Sequence, residues 1–323
     1  MKAIRVHECG GADALRYDEV DVPTPQAGEA LVKVAAAGIN FIDVQHRTGR
    51  YKPPRLPFTL GSEAAGTVTA VGAGVTEVAV GDRVAYAMVL GSYAQFAVVQ
   101  AKRLVKVPAG IELETAAGVM LQGLTAHYLT HSAYPLKPGD TALVHSAAGG
   151  AGQLIVQAAR ICGATVYGTV GNAAKAEVAR AAGAAATIDY RAQDFEAEIK
   201  TLTNGRGVDV VYDSVGKDTF DKSLNCLRPR GLLALFGFSS GAVPPFDPAV
   251  LGYKGSVFLT RPGLNQYIAT RDELVGRAND LFAWLAAGKL KVTIDRVWPL
   301  ADAAKAHEAL EARQTAGKLL LVP

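Results

Sequence analysis

The chain has 323 residues, half of them hydrophobic and a fifth charged, which is enough apolar material for two packed cores and argues against disorder. A formal net charge of +3 with no basic run argues against nucleic acid or an anionic membrane as the main partner. The opening residues lack an apolar core of signal-peptide length, and no stretch of about twenty uncharged apolar residues occurs, so no membrane association and a cytoplasmic protein are expected. Cys9, Cys162 and Cys226 are scattered and odd in number, which supports buried thiols rather than a disulfide framework or a zinc knuckle.

The first third reads as β-rich and irregular. Short strands are expected at 2–6, 30–36, 66–71, 83–87 and 95–99, broken by turns such as Val22-Pro23-Thr24-Pro25 and Gly81-Asp82, and together they suggest a partly closed barrel. Short helices are expected at 41–47 and 113–121, and a longer one begins at 124–133, where the chain is expected to cross into a second domain. From Thr141 the pattern becomes an alternation of strands and helices, the signature of a doubly wound parallel sheet.

The stretch from Thr141 to Asn172 organises that second domain. An apolar strand at 141–145 leads into the turn Ala147-Ala148-Gly149-Gly150-Ala151-Gly152, and a helix follows whose face carries Leu154, Ile155, Ala158 and Ala159. A second strand at 164–170 completes a βαβ unit of about thirty residues. The turn matches a dinucleotide fingerprint with Ala147, Gly149 and Gly152 at its small positions, so the backbone at Ala148, Gly149, Gly150 and Ala151 can approach a pyrophosphate at the helix start.

An NAD site would place an acid about twenty residues beyond the turn. Here the second strand ends in Gly171 and Asn172, the first acid after the turn is Glu177, and Lys175 lies close by. Lys175 with Tyr190 and Arg191 would attract a 2′-phosphate, so NADPH is the expected cofactor, although any single one of these basic residues also reads as an ordinary solvated charge. Further strands are expected at 187–189, 208–212, 231–236 and 256–260, with a helix at 194–202. In the last sixty residues, helices at 271–287 and 301–312 and strands at 292–297 and 318–322 are expected to complete the first barrel rather than extend the nucleotide sheet.

Several segments together resemble one family: Gly38-Ile39-Asn40-Phe41-Ile42-Asp43, Gly61-Ser62-Glu63-Ala64-Ala65-Gly66, Ala147 to Gly152, Val211-Tyr212-Asp213-Ser214-Val215-Gly216 and Thr260-Arg261-Pro262. On these the chain is similar, essentially end to end, to the zinc-independent NADPH:quinone oxidoreductases, ζ-crystallin relatives in the medium-chain dehydrogenase/reductase superfamily. The resemblance implies an α/β protein with a GroES-like β-rich catalytic domain at 1–124 and 262–323 and a Rossmann NADPH-binding domain at 125–261. It also implies a homodimer through Rossmann edge strands, for which 256–260 is the candidate.

The same resemblance puts Asn40, Tyr51, Thr125 and Arg261 at the catalytic cleft, and Gln122, Ser214, Phe236, Gly237, Phe238, Ser239 and Lys318 alongside Asn40 and Thr125 at the cofactor. Gln45 stands where some relatives have tyrosine. Zinc-dependent relatives carry a catalytic Cys and a Gly-His-Glu segment; here the segment reads Gly61-Ser62-Glu63, and serine cannot replace imidazole as a zinc ligand. His127 and His131 lie four apart on an expected helix, but Tyr128 stands where a metalloprotease motif has glutamate. The implied activity is reduction of a quinone by NADPH, through hydride or single-electron transfer, with an alkenal or enone reductase as the alternative. From another class, a non-catalytic nucleotide- or RNA-binding protein remains open.

Overall fold

The computed structural model describes residues 1–53 and 55–323. The chain forms two compact units, Met1–Leu124 with Ile268–Pro323, and Thr125–Tyr267. The second joint therefore falls six residues beyond the expected 261/262 boundary.

In the unit Thr125–Tyr267, six strands form one parallel sheet in the order Ala186–Asp189, Thr165–Val170, Thr141–Val144, Val208–Asp213, Leu227–Leu235, Phe258–Thr260. This is the doubly wound order, in which the chain reverses direction beside the first strand and leaves a crevice at the strand carboxyl ends. The central strand Val208–Asp213 is buried at every position, which suits the apolar residues Val208, Val210, Val211 and Tyr212 between and beside its two acids. The helix Gly150–Ile161 buries Leu154, Ile155, Ala158 and Ala159, the stripe that the three-and-four spacing marks.

In the other unit, one sheet runs Ile294–Pro299, Lys318–Val322, Glu29–Ile39, Glu63–Val71, Arg83–Ala87, Val105–Lys106, and Phe96–Gln100 also pairs with Glu29–Ile39. A smaller sheet orders Leu15–Glu19, Lys2–Val6, Phe58–Thr59. The C-terminal strands thus join the N-terminal barrel, as their position after six nucleotide-sheet strands leads one to expect. The core packs Ile4, Val32, Tyr86, Leu104, Leu319 and Leu321.

Several elements differ from the sequence reading, among them the strands Leu15–Glu19, Phe58–Thr59 and Val105–Lys106, which were not expected. The helices expected at 113–121 and from 124 onward are one helix, Leu113–Tyr128, running into a wider turn over Leu129–Ala133. Gly123 does not interrupt it; a Cβ there would stand 3.0 Å from Leu281, so the glycine lets the helix Arg271–Ala286 pack closely. Among the helices not anticipated are Ala173–Ala182, Phe220–Asn225, Ala249–Tyr253 and Leu264–Tyr267. The first is alanine-rich with little apolar contrast, and its boundary signals are Asn172 at the start and left-handed Gly183 at the end.

Candidate active site

The phosphate turn begins with Ser146 in the left-handed region, φ 55°, an unusual conformation for a side-chain-bearing residue. Gly149 then occupies the N-cap of the helix Gly150–Ile161, whose first-turn amides have no partner within the helix. A Cβ on Gly152 would lie 2.2 Å from the Ser146 carbonyl oxygen and 2.9 Å from Ala147 Cα, so only glycine permits this helix start to sit against the strand end. Gln153 Nε2 donates to the Ala148 carbonyl at 2.8 Å and clips the turn shut behind the amides. Ala148, Gly149, Gly150 and Ala151 therefore form a cradle with the shape and polarity an anionic diphosphate requires.

At the neighbouring strand end, Asn172 caps the helix Ala173–Ala182 by accepting from the Lys175 amide at 2.9 Å. Gly171 approaches Tyr190 so closely that a Cβ would stand 2.8 Å from its hydroxyl. Lys175 is half-buried and Tyr190 exposed, and both follow the paired strand ends Val170 and Asp189. The Asp189 carboxylate accepts the Arg191 amide at 3.0 Å. The structure thus gathers Gly171, Asn172, Lys175 and Tyr190 in one corner.

Further along the same sheet edge, two loops are laced together. Phe236 and Gly237 amides donate to the Asp213 carbonyl, the Ser239 amide donates to the Ser214 carbonyl at 3.1 Å, and Ser240 bonds the Val215 carbonyl through both its amide and its hydroxyl. Arg261 donates to the Phe236 carbonyl at 3.0 Å and to that of Pro262 at 3.1 Å, with its guanidinium 5.1 Å from the Phe238 ring centre. Its geometry is that of a brace under the loop that carries Phe236, Gly237, Phe238 and Ser239. Thr125 is buried at the start of this unit.

The unit containing both chain ends holds a different kind of site. Lys318 Nζ lies 2.5 Å from Glu63 Oε2 and donates to Asn40 Oδ1 at 2.8 Å. Asn40 Nδ2 donates to Glu63 Oε2 at 2.8 Å and to the Gly38 carbonyl at 3.3 Å. Gln122 Nε2 donates to Asn40 Oδ1 at 3.2 Å, and the Leu121 amide donates to Glu63 Oε1 at 2.6 Å. Both donors and both lone pairs of the Asn40 amide are thereby engaged, and Lys318 is 1 % exposed. Gln122 Oε1 is the acceptor left over: it is buried and bonds no described residue.

Beside this pair runs a second buried chain. Arg47 Nη1 is 3.2 Å from His307 Nδ1; because guanidinium only donates, Nδ1 accepts and Nε2 carries the ring proton. That Nε2 lies 3.2 Å from the Tyr93 hydroxyl, which donates to Asp43 Oδ2 at 3.0 Å. Asp43 also accepts from Ser62 Oγ at 2.7 Å and from the Asn40 backbone N–H at 2.9 Å. Burial raises Asp43 to about 6 against the opposing pull of these donors, and burial lowers His307 to about 3, assisted by the Arg47 charge. Tyr51, at the chain surface, packs its ring 5.5 Å from that of His46.

The matching family models fit this architecture: the alcohol dehydrogenase GroES-like domain over residues 26–109 and the zinc-binding dehydrogenases over residues 150–270. Quinone oxidoreductase 1 of Escherichia coli is 46% identical over 323 residues, covering 99% of each chain. A crystal structure of E. coli quinone oxidoreductase complexed with NADPH superposes with a TM-score of 0.98 at 45% identity, covering all of both chains. The chain belongs to the quinone oxidoreductase family. A 2-haloacrylate reductase from a Burkholderia species is 44% identical, covering 100% of this chain and 99% of its own.

In this quinone oxidoreductase-family chain the segment that carries a zinc ligand in zinc-dependent relatives holds Ser62, bonded to Asp43, beside a lysine ammonium. That donor set does not fit zinc, and among the described residues no group of three or more His, Cys, Asp or Glu is placed to hold a metal ion. His127 and His131 stack at 4.4 Å between ring centres, and His131 Nε2 faces Cys162 Sγ at 3.6 Å. The sequence reading gave no role to Arg47, Asp43, Glu63, Tyr93 and His307. The polar residues inside apolar strand patterns, such as Glu63 before Ala64-Ala65, were the available signal.

Proposed function

We propose that the chain reduces quinones with NADPH and without zinc, and the observation that carries this reading is the glycine cradle joined to a strand end bearing Asn172, Lys175 and Tyr190. When bound, the coenzyme would supply reducing equivalents from its nicotinamide ring, as a hydride or in single-electron steps. Amides of Gly150 and Ala151 would hold the diphosphate, above the turn that the Gly149 amide closes on the Ser146 carbonyl at 2.9 Å, and Lys175 with Tyr190 the 2′-phosphate. Ser214, Phe236, Gly237, Phe238 and Ser239 would line the nicotinamide, with Arg261 bracing that loop. The orphaned Gln122 Oε1 calls for a ligand hydroxyl or amide donor, since a buried acceptor left without one costs about 1–3 kcal/mol. Asn40 positions Gln122, and Lys318 balances Glu63 within the protein rather than meeting the coenzyme; Tyr51, exposed beside the His46 ring, is the residue that the resemblance assigns to the acceptor.

A quinone delocalises incoming charge onto its oxygens, so a site with amide and hydroxyl donors suffices where an alcohol dehydrogenation would call for a metal. The test is coenzyme oxidation by NADPH and NADH across quinones, enones and aldehydes, with and without chelator. Turnover of quinones, preference for NADPH, and indifference to chelator are expected; preference for NADH or loss on chelation refutes the reading. Lys175→Ala is expected to raise the NADPH KM by about tenfold and leave the NADH KM in place, the size of one phosphate–ammonium contact. The 2-haloacrylate reductase relative favours reduction of activated double bonds as a second reading, which the enone arm of the same panel decides.

A homodimer through the strand Phe258–Thr260 is supported by its place at the edge of the parallel sheet and by exposed Phe258 and Tyr253 nearby. Among the described residues no helix is long and apolar enough to cross a membrane. A cytoplasmic location is our reading from three cysteines in no disulfide and dependence on NADPH.

A further inference from the structure

His145 is buried at the end of the strand Thr141–Val144 and has no part in the function above, yet it sits directly before the phosphate turn. Its Nδ1 lies 3.0 Å from Thr169 Oγ1 and its Nε2 2.9 Å from Ser223 Oγ. Ser223 Oγ is 3.1 Å from Asp213 Oδ2, which also accepts from Thr219 Oγ1 at 2.7 Å. Asp213 Oδ1 accepts the amides of Val215 at 2.7 Å and Gly216 at 3.0 Å, and so fixes the start of the Ser214 loop. At the other end, Thr169 Oγ1 accepts the Ser146 amide at 3.3 Å.

Counting protons gives this chain a direction. A carboxylate only accepts, so the single Ser223 hydroxyl proton points to Asp213, and Ser223 in turn accepts from His145 Nε2–H. Nδ1 is then bare and accepts the Thr169 proton, which turns the Thr169 lone pairs toward the Ser146 amide. Burial lowers the His145 pKa, in keeping with a neutral ring. Three strand ends and the helix Phe220–Asn225 are tied by one run of donors, from the residue that opens the phosphate turn to the carboxylate that holds the Ser214 loop.

We infer that His145, as its Nε2–H tautomer, is a positioning residue that couples the diphosphate half of the coenzyme site to its nicotinamide half. The inference rests on the NADPH reading above. If one end of the chain is ordered by a bound phosphate, Thr169 and His145 hold the far end in its binding geometry, so the two halves assist each other.

The test uses two fragments, 2′,5′-ADP and reduced nicotinamide mononucleotide, with titration calorimetry on the full chain. Saturating 2′,5′-ADP is expected to tighten mononucleotide binding to the wild type by about fivefold or more. In His145→Phe that factor is expected to fall to about one. Thr169→Val, which deletes a hydroxyl at nearly constant volume, cuts the same chain should the first variant fail to fold. An unchanged factor in Thr169→Val, no coupling in the wild type, or ¹⁵N shifts showing the Nδ1–H tautomer would each overturn the inference. Failure of the wild type to bind whole NADPH would instead remove the reading beneath it.

Discussion

Replacing Lys318 with methionine removes one charge from a pair in which neither side chain reaches solvent: Lys318 is 1 % and Glu63 0 % exposed. Glu63 keeps the Asn40 and Leu121 donors but loses its counter-ion, and Asn40 keeps only Gln122 at its oxygen. Breaking a buried pair this way costs about 3–5 kcal/mol, because the remaining charge stays out of water. At about 2–4 °C per kcal/mol for a unit of this size, the midpoint of thermal unfolding is expected to fall by roughly 6–20 °C. Adding Glu63→Gln removes the stranded charge and restores most of the stability, while kcat/KM stays about tenfold down because Asn40, and through it Gln122, has lost its frame. Paired calorimetric scans and steady-state kinetics on wild type, single and double variants check this. A single variant that loses less than about 1 kcal/mol but binds NADPH poorly would refute the reasoning and make Lys318 a direct coenzyme ligand, the role the family resemblance implies.

Three further outcomes follow from the geometry. His307 is lowered from 6.5 to about 3, so between these values the unfolded chain binds the proton and the folded chain does not. Its contribution is therefore lost as pH falls through 6.5, at up to about 1.4 kcal/mol per pH unit, and the stability advantage of wild type over His307→Gln should shrink from pH 7 to 4.5 in urea unfolding; a constant difference refutes this. Asp43, raised from 3.8 to about 6, has the opposite sign: its contribution is present below 3.8 and lost as pH rises through 6, so the two groups offset one another between about 4 and 6. Gly152→Ala places a methyl group 2.2 Å from the Ser146 carbonyl oxygen, and NADPH affinity by calorimetry should fall by about tenfold or more, at about 1–3 kcal/mol of stability. Phe258→Asp puts a charge on an edge-strand residue that is 60% exposed; under the proposed edge-strand pairing, sedimentation should show wild type heavier than this variant, and equal masses for the two refute that interface.

The nucleotide unit was largely legible because its determinants are neighbours along the chain. A strand, a small-residue turn and a helix with Leu154, Ile155, Ala158 and Ala159 on one face follow one another within thirty residues, and each carries its own period. The helix Ala173–Ala182 escaped because alanines give little contrast between faces, although its Asn172 and Gly183 ends were readable. In the barrel, short strands such as Phe58–Thr59 and Val105–Lys106 are too brief to show alternation at all.

From sequence alone came the parallel-sheet order of elements, the phosphate elbow, the absence of an acid where NAD would need one, and serine in place of a zinc-binding histidine. Tertiary structure alone decided that Lys318 meets Glu63 across 255 residues, that Arg47 meets Glu311 across 264, and that Asn40 has no free hydrogen-bonding group. The physical reason is that periodicity and turn chemistry act over a few residues, whereas a buried charge or a proton's direction depends on every group within hydrogen-bond reach. Those groups are brought together only when the two ends of the chain close on the same sheet.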